Sequence, residues 1–353
     1  MPSASITHGL FFPSLMTSPR HLVLASILLF LPLSAAAQSF SDVSQSNPAY
    51  GAIEYLKTQG ILRGYPDGTF KPDQAVNRAE ALKIIVAQLV ELSAIESRKG
   101  KTSYGDVAAD AWFAPFVEVA RADLKIIDGP PKSSAFSPTR TVNKVEFLKM
   151  LLLGNKIDPT LAYGEIKLPL SSDVSTPSEW YYPPVRYAMS ASMLAVNQNG
   201  TLEPAKQLTR GDISLLLYRF LMYRENRRTQ ALLSLAEDEI LNVLRALEGG
   251  DIEQAEFASA RSLLSARGAL TSLPEDPLVK GAVKTSEGFR MLTVSYRAGS
   301  EGRLDDAIKA AGDAWNLAEQ AKTFSSGLTD VAVQMQTIAK SMADEGRRLK
   351  AGN

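Results

Sequence analysis

A short cassette recurs three times in this chain at a fixed interval, and no other feature constrains the fold as tightly. VNRAE (Val76 to Glu80), VNKVE (Val142 to Glu146) and LTRGD (Leu208 to Asp212) set their cations at positions 78, 144 and 210, 66 residues apart each time. Spacing of this regularity marks a tandem array, in which each unit buries its apolar face only against its neighbours. The first two thirds of the chain is therefore expected to be three similar helical units. An array that repeats an exposed cation suits binding better than catalysis.

Each cassette also has a local role. Asn77, Asn143 or Thr209, followed three places later by Glu80, Glu146 or Asp212, is the capping-box arrangement that opens a helix. The apolar residues beyond it fall at helical spacing, with Leu82, Ile85, Val86 and Leu89 in the first copy and Ile213, Leu216, Leu217 and Phe220 in the third. Between cap and carboxylate sits the cation, where the helix dipole disfavours positive charge by roughly 0.3 to 1 kcal/mol. An anion held by the free N–H groups of the first turn and by the cation would offset that cost. Solvation, or pairing with an acid of a neighbouring unit, is the alternative.

Upstream, Asp42-Val43, Asp106-Val107 and Asp173-Val174 open the units, and Trp112 or Trp180 leads a first helix in copies two and three, with Tyr50 near that point in copy one. Phe116, Val117, Ala120 and Leu124 give that helix a buried face in copy two. Each unit thus reads helix, loop, helix. The loop of copy one, GILRGYPDGTFKP (Gly60 to Pro72), spells consecutive turns. Asp67 within it lacks the spaced acids of a calcium loop and reads as turn chemistry.

FSDV, then GILRGYPDGTFKP, then VNRAE resembles the surface-layer homology module of bacterial envelope proteins, with three copies over roughly Phe40 to Tyr223. The resemblance implies a mainly α fold, a pseudo-threefold bundle whose inter-unit grooves hold an acidic or pyruvylated cell-wall glycan. The cassette arginine that contacts the glycan carboxylate in that family maps onto Arg78 and Arg210, with Lys144 at the matching place in copy two. Copy two departs from the pattern, with DGPPKSSAFSP (Asp128 to Pro138) in place of the glycine-rich turn and lysine in place of arginine. Lysine is a point charge without the bidentate fork, so the grooves of Arg78 and Arg210 rank above that of Lys144. Copy three reads LAVNQNGTLEP (Leu194 to Pro204) and keeps an Asn199-Gly200 turn. Trp112, Trp180 and Tyr65 either stack on sugar faces or belong to the core between units.

At the N-terminus, Leu22 to Leu33 is an apolar run preceded by Arg20 and followed by Ala35-Ala36-Ala37, the pattern of a secretory signal cleaved before Gln38. The run is shorter than the ~20 residues of a membrane span, so the mature chain is expected to lack a transmembrane segment. Met16 offers a more ordinary signal start than Met1. Cysteine is absent, which excludes a lipidated cysteine, disulfides and thiolate metal sites. Both histidines, His8 and His21, lie in the part expected to be removed, which excludes Ser-His-Asp and Cys-His machinery. No cofactor is expected. A formal charge of +0 offers no bulk attraction to nucleic acid.

Beyond Tyr223 only Pro274 and Pro277 remain of 19 prolines, and the C-terminal region is expected to be helical. Leu232, Leu235, Ala236, Glu239, Ile240, Val243, Leu244 and Leu247 form one stripe that stops at Gly249-Gly250, and the last helix of the array is expected to run directly into it. GDIEQAEFASA (Gly250 to Ala260) and GRLDDAIKAAG (Gly302 to Gly312) match in pattern 52 residues apart, each a turn glycine before an amphipathic helix. Two helical hairpins result, as a compact bundle or short stalk, with Trp315 and Phe324 expected in their core. The expected division is 1–37 signal, 38–98, 99–164 and 165–223 repeats, and 224–353 helical domain.

The favoured reading is a non-catalytic, secreted anchor at the cell-wall surface. Its array would hold wall polysaccharide or a peptidoglycan-linked glycan, while 224–353 reaches a protein partner, spaces it or self-associates. The alternative is an envelope adaptor that binds proteins through both regions. A carboxylate glycosidase is a third reading, with no acidic pair singled out for it.

Overall fold

The computed structural model describes residues 40–128 and 134–352, so the expected signal segment and part of the second loop lie outside the described residues. Capping, apolar spacing and proline placement produce twelve α-helices and no strands among those residues. The first two thirds contains α1 (Tyr50–Thr58), α2 (Arg78–Val86), α3 (Leu92–Glu96), α4 (Ala114–Glu118), α5 (Lys144–Gly154), α6 (Tyr182–Ser190) and α7 (Arg210–Arg224). All three predicted capping boxes are formed, at the starts of α2, α5 and α7. The fold is mainly α, as expected.

Three extended residues, one before each cap, close the array on itself. Val76 N–H donates to Leu208 O, Leu208 N–H to Val142 O, and Val142 N–H to Val76 O, each at 3.0 Å. The side chains of all three are buried. Around this axis the second helix of each unit packs on the first helix of the next: α2 on α4, α5 on α6, and α7 back on α1. No unit has a free face toward the ring, so the three are mutually dependent.

The first helix of copy two carries one residue more than its counterparts between its start and its left-handed end residue: Ala114 to Lys125, against Tyr50 to Gly60 and Tyr182 to Ser192. The extra residue is taken up as a π-helical turn over Val119–Asp123, which interrupts the regular helix expected from Phe116 to Leu124.

The C-terminal region consists of α8 (Thr229–Glu248), α9 (Ile252–Ser272), α10 (Pro277–Ser300), α11 (Leu304–Phe324) and α12 (Thr329–Lys350). The 52-residue repeat appears as two tight turns, α8 to α9 through Gly250 (φ 73°) and α10 to α11 through Gly302 (φ 76°). Each helix packs on the next, and α10 also touches α8 and α12. Their core joins Val243 and Leu247, Phe289 and Leu292, Ala314, and Met335.

Two expectations are corrected here. α7 does not run into α8: it stops at Arg224, and Asn226 turns the chain with φ 58°. Of the compact bundle and short stalk left open for the hairpins, the packing is that of a bundle, and it adjoins the array: α9 lies against α6, and one apolar core continues from Phe40 through Leu263, Leu264 and Ala269. At this seam a Cβ built on Gly268 would stand 1.7 Å from the Ser190 carbonyl oxygen. Arg261, paired with Glu239, also donates to Leu170 O at 2.9 Å across it. Trp315 and Phe324, expected in the core, are 40% and 37% exposed, because alanines of α11 (Ala311, Ala314, Ala318) fill the interior instead.

Candidate functional site

The 66-residue period carries into the side chains. Asp42 accepts from the N–H groups of Phe70 and Lys71, Asp106 from Phe136 and Ser137, and Asp173 from Leu202 and Glu203. The second residue of each pair is left-handed, with φ of 58°, 59° and 49°, a conformation these carboxylates stabilise. The opening aspartates recognised in the sequence without a role are thus clamps on the loops. Burial would raise the Asp106 and Asp173 carboxyls, but the N–H donors outweigh it and hold both below the ordinary range.

Each clamped loop meets the cassette of the preceding unit. The first free N–H groups of α2 donate to Arg140 O and Pro138 O, those of α5 to Lys206 O and Pro204 O, and those of α7 to Gln74 O and Pro72 O. This corrects the expectation of an anion held by bare helix ends, since carbonyls of the neighbouring unit already occupy those donors.

The cations themselves lie across the same seams. Arg78 stacks over Phe136, its guanidinium carbon 5.1 Å from the ring centroid. Lys144 Nζ donates to Leu202 O at 2.6 Å. Arg210 donates to Phe70 O at 2.8 Å and Arg63 O at 3.1 Å, and lies 4.5 Å from the Phe70 ring and 4.9 Å from that of Tyr65. Phe70, Phe136 and Leu202 are themselves one repeat apart, so the geometry is threefold with the ring lost in copy three. The carbonyls and rings offset part of the dipole cost. None of the three cations forms an ion pair within 4 Å of a carboxylate among the described residues, and each is partly exposed. Burial pulls the Arg78 and Lys144 pKa values below their ordinary levels, opposed by Glu146 and Glu203 respectively.

Trp112 and Trp180 are not core. They are 54% and 55% exposed, each edge-on to its neighbour, Phe113 or Tyr181. Lys83 of α2 reaches over Trp112 at 5.3 Å and Lys149 of α5 over Trp180 at 5.9 Å, so each Trp stands beside the helix of one cassette. These lysines, one repeat apart, were missed in the sequence; their equal offset from the cassettes was the available signal. The third seam has Leu215 at that position and uses Tyr65, which is partly exposed and hydrogen-bonds Gln74 at 3.3 Å. Arg78, Lys83, Trp112 and Phe136 thus share one seam, Lys144, Lys149 and Trp180 a second, and Arg210 and Tyr65 a third. A cation beside a half-exposed aromatic face suits an anionic ligand with a flat apolar side.

Asp67 is turn chemistry, its Oδ1 accepting from the N–H and hydroxyl of Thr69, and Asn199 does the same for Thr201. No group of three His, Cys, Asp or Glu able to hold a metal occurs among the described residues. No helix among them is long and apolar enough to cross a membrane.

Comparison with known proteins reaches the first of these units. The S-layer homology domain matches residues 39–82. The Surface-layer 125 kDa protein of Lysinibacillus sphaericus is 28% identical over 192 residues, 54% of this chain and 15% of that protein. S-layer protein EA1 of Bacillus anthracis is 31% identical over 121 residues, 34% of this chain and 13% of that protein. A Cellulosome-anchoring protein of Acetivibrio thermocellus is 27% identical over 166 residues, 46% of this chain and 35% of that protein. The chain therefore spans only a minor part of each relative, and within it residues 39–82 carry an S-layer homology domain.

Proposed function

We propose that the chain is a non-catalytic, exported anchoring protein of the cell envelope. Its three units, 38–98, 99–164 and 165–223, would all be S-layer homology modules, the second and third diverged beyond the match at 39–82. Their seams would bind an acidic, pyruvylated wall glycan, with the carboxylate on Arg78, Lys144 or Arg210 and a sugar face on Trp112, Trp180 or Tyr65. The observation that carries this reading is the threefold placement of a partly exposed cation at a closed seam, with no carboxylate within 4 Å among the described residues and, for Arg78 and Arg210, an aromatic ring beside it. A solvated cation would have no reason to recur there. The names of relatives that form surface layers or anchor cellulosomes point the same way. The helical region 224–353 would present or space a partner.

The test is cosedimentation of residues 38–353 with purified cell-wall sacculi. The protein is expected to be retained and the Arg78→Ala, Arg210→Ala double variant, checked for an intact fold, to remain in solution. Equal retention of both would favour the adaptor reading, in which the units bind protein.

A further inference from the structure

A cleft of about 550 Å³ opens where the third loop meets the α8–α9 hairpin, a place no cassette reaches. Its volume lies within the range of small-molecule sites, which hold one compact ligand. One wall is the loop Leu194–Gly200; the other is α8, the start of α9 and the buried residues behind them.

The chemistry of the lining is unlike that of the seams. Arg261, 5% exposed, spends its guanidinium on both oxygens of Glu239 (2.6 and 2.8 Å) and on Leu170 O, so the two charges cancel on a fixed floor. Asn242 donates to Glu239 and accepts from Arg245, which extends that network to the rim. Asp251 is engaged as the cap of α9 through Gln254 N–H. Against this neutralised floor stands Ser265, 2% exposed and lining the cleft, whose hydroxyl has no hydrogen-bond partner among the described residues. The Ser265 oxygen is not among the side-chain atoms shut off from solvent without a partner, so the hydroxyl opens onto the cleft with its donor and acceptor free for a ligand. Gln198 and Gln254, both exposed, line the rim of the cleft, and their side-chain amides make no hydrogen bond to the protein among the described residues.

We propose that this cleft binds a short, neutral, hydroxyl-rich saccharide of two or three residues. Paired donors and acceptors on amides and a hydroxyl match adjacent sugar hydroxyls, and the two arginines of the lining, Arg245 and Arg261, are balanced by its two carboxylates, Glu239 and Asp251, which leaves no net preference for an anion. An extended peptide fits less well, because no strand edge is exposed there and no aromatic or deep apolar pocket anchors a side chain. The preorganised Arg261–Glu239 floor needs no rearrangement to receive it. The inference does not rest on the cassette cations.

The experiment titrates residues 38–353 with the neutral trimer of N-acetylglucosamine, followed by NMR, and in parallel with an uncharged alanine tetrapeptide. Saturable saccharide binding with a dissociation constant on the order of 1 mM or tighter is expected. Ser265→Val should weaken it at least about tenfold, as should the Asn242→Ala, Gln254→Ala pair, which alters side chains at the rim and keeps the test open if the buried change disturbs folding. Arg78→Ala, Arg210→Ala should leave it unchanged. Absence of saccharide binding, binding indifferent to both cleft variants, binding lost with the cassette pair, or peptide binding in its place would each overturn the proposal.

Discussion

Replacing Gly268 by alanine should destabilise the protein although it improves the intrinsic helix. Gly268 lies inside α9, where alanine normally gains about 1 kcal/mol. Here the added Cβ would stand 1.7 Å from the Ser190 carbonyl oxygen and 2.7 Å from its carbon, both backbone atoms at the end of α6. No rotamer change relieves a backbone contact, so α9 must move away by more than 1 Å. That movement stretches the Arg261 bond to Leu170 O, the Tyr163 contact with Thr271 and the Tyr223 hydroxyl's bond to the Gly268 carbonyl. Overpacking a core with one methyl group typically costs about 1 to 3 kcal/mol. A backbone clash belongs at or above the top of that range, so after the helix gain the net loss is about 2 kcal/mol or more. Urea unfolding of residues 38–353 measures it as a lower midpoint, and limited proteolysis should show earlier cleavage near the α6–α9 seam. A variant as stable as the parent, or more stable by the propensity gain, would show that α9 does not press on α6 and that the hairpins are free of the array.

Arg210→Ala removes two charge-assisted bonds to carbonyls and two ring contacts that tie the third unit to the first; discounted for partial exposure, this is about 2 kcal/mol and a fall of roughly 4 °C in unfolding midpoint, whereas a change below about 1 °C would mean that the side chain is solvated. Arg261→Met leaves Glu239 buried and uncompensated, with an expected loss of about 3 kcal/mol by urea unfolding that Glu239→Leu in the same chain largely restores; equal losses in the single and double variants would contradict the pairing. Acid should also unfold the array through its clamps. The folded pKa values of Asp106 and Asp173 are depressed, so their contribution is present above the ordinary carboxylate value near 3.9 and is lost as pH falls through the folded values. Thermal midpoints should therefore drop steeply below about pH 4, and Asp106→Ala, Asp173→Ala should flatten that slope; an unchanged slope would acquit the clamps.

What the sequence revealed and what it concealed divide along the range of the interaction. The capping boxes at Asn77, Asn143 and Thr209 were legible because cap and carboxylate are three residues apart, and the turns at Asp67-Gly68 and Asn199-Gly200 because they are local. The glycine turns at Gly250 and Gly302 were legible for the same reason. The carbonyls that occupy the helix ends were not, since Arg140 O reaches Arg78 N–H from the next unit, and ring closure requires Val76, Val142 and Leu208 to meet across the whole array. Nor was the seating of α9 on α6, which depends on Gly268, a residue that in one dimension looks only like a weak helix former. Trp315 was misplaced because small residues of α11 supply its buried stripe, and a rule that sends large aromatics inward does not see them. At the seams, the cassette cations and Trp112, Trp180 and Tyr65 were nominated by their position in the repeat, whereas the placement of Lys83 and Lys149 over the two tryptophans was not legible, because a lysine on a helix surface is unremarkable until the facing ring is known.

The proposed anchor stands on recognition of acidic sugar by the cassette cations, and a calorimetric titration tests it most directly. Residues 38–353 would be titrated with a wall disaccharide bearing a pyruvyl ketal and with the same disaccharide lacking it. The account predicts that the acidic sugar binds at least about tenfold more tightly, that the advantage shrinks with added salt, and that it disappears in Arg78→Ala, Arg210→Ala. Equal affinity for the two sugars, or a preference for the acidic one that survives the loss of both arginines, would contradict it.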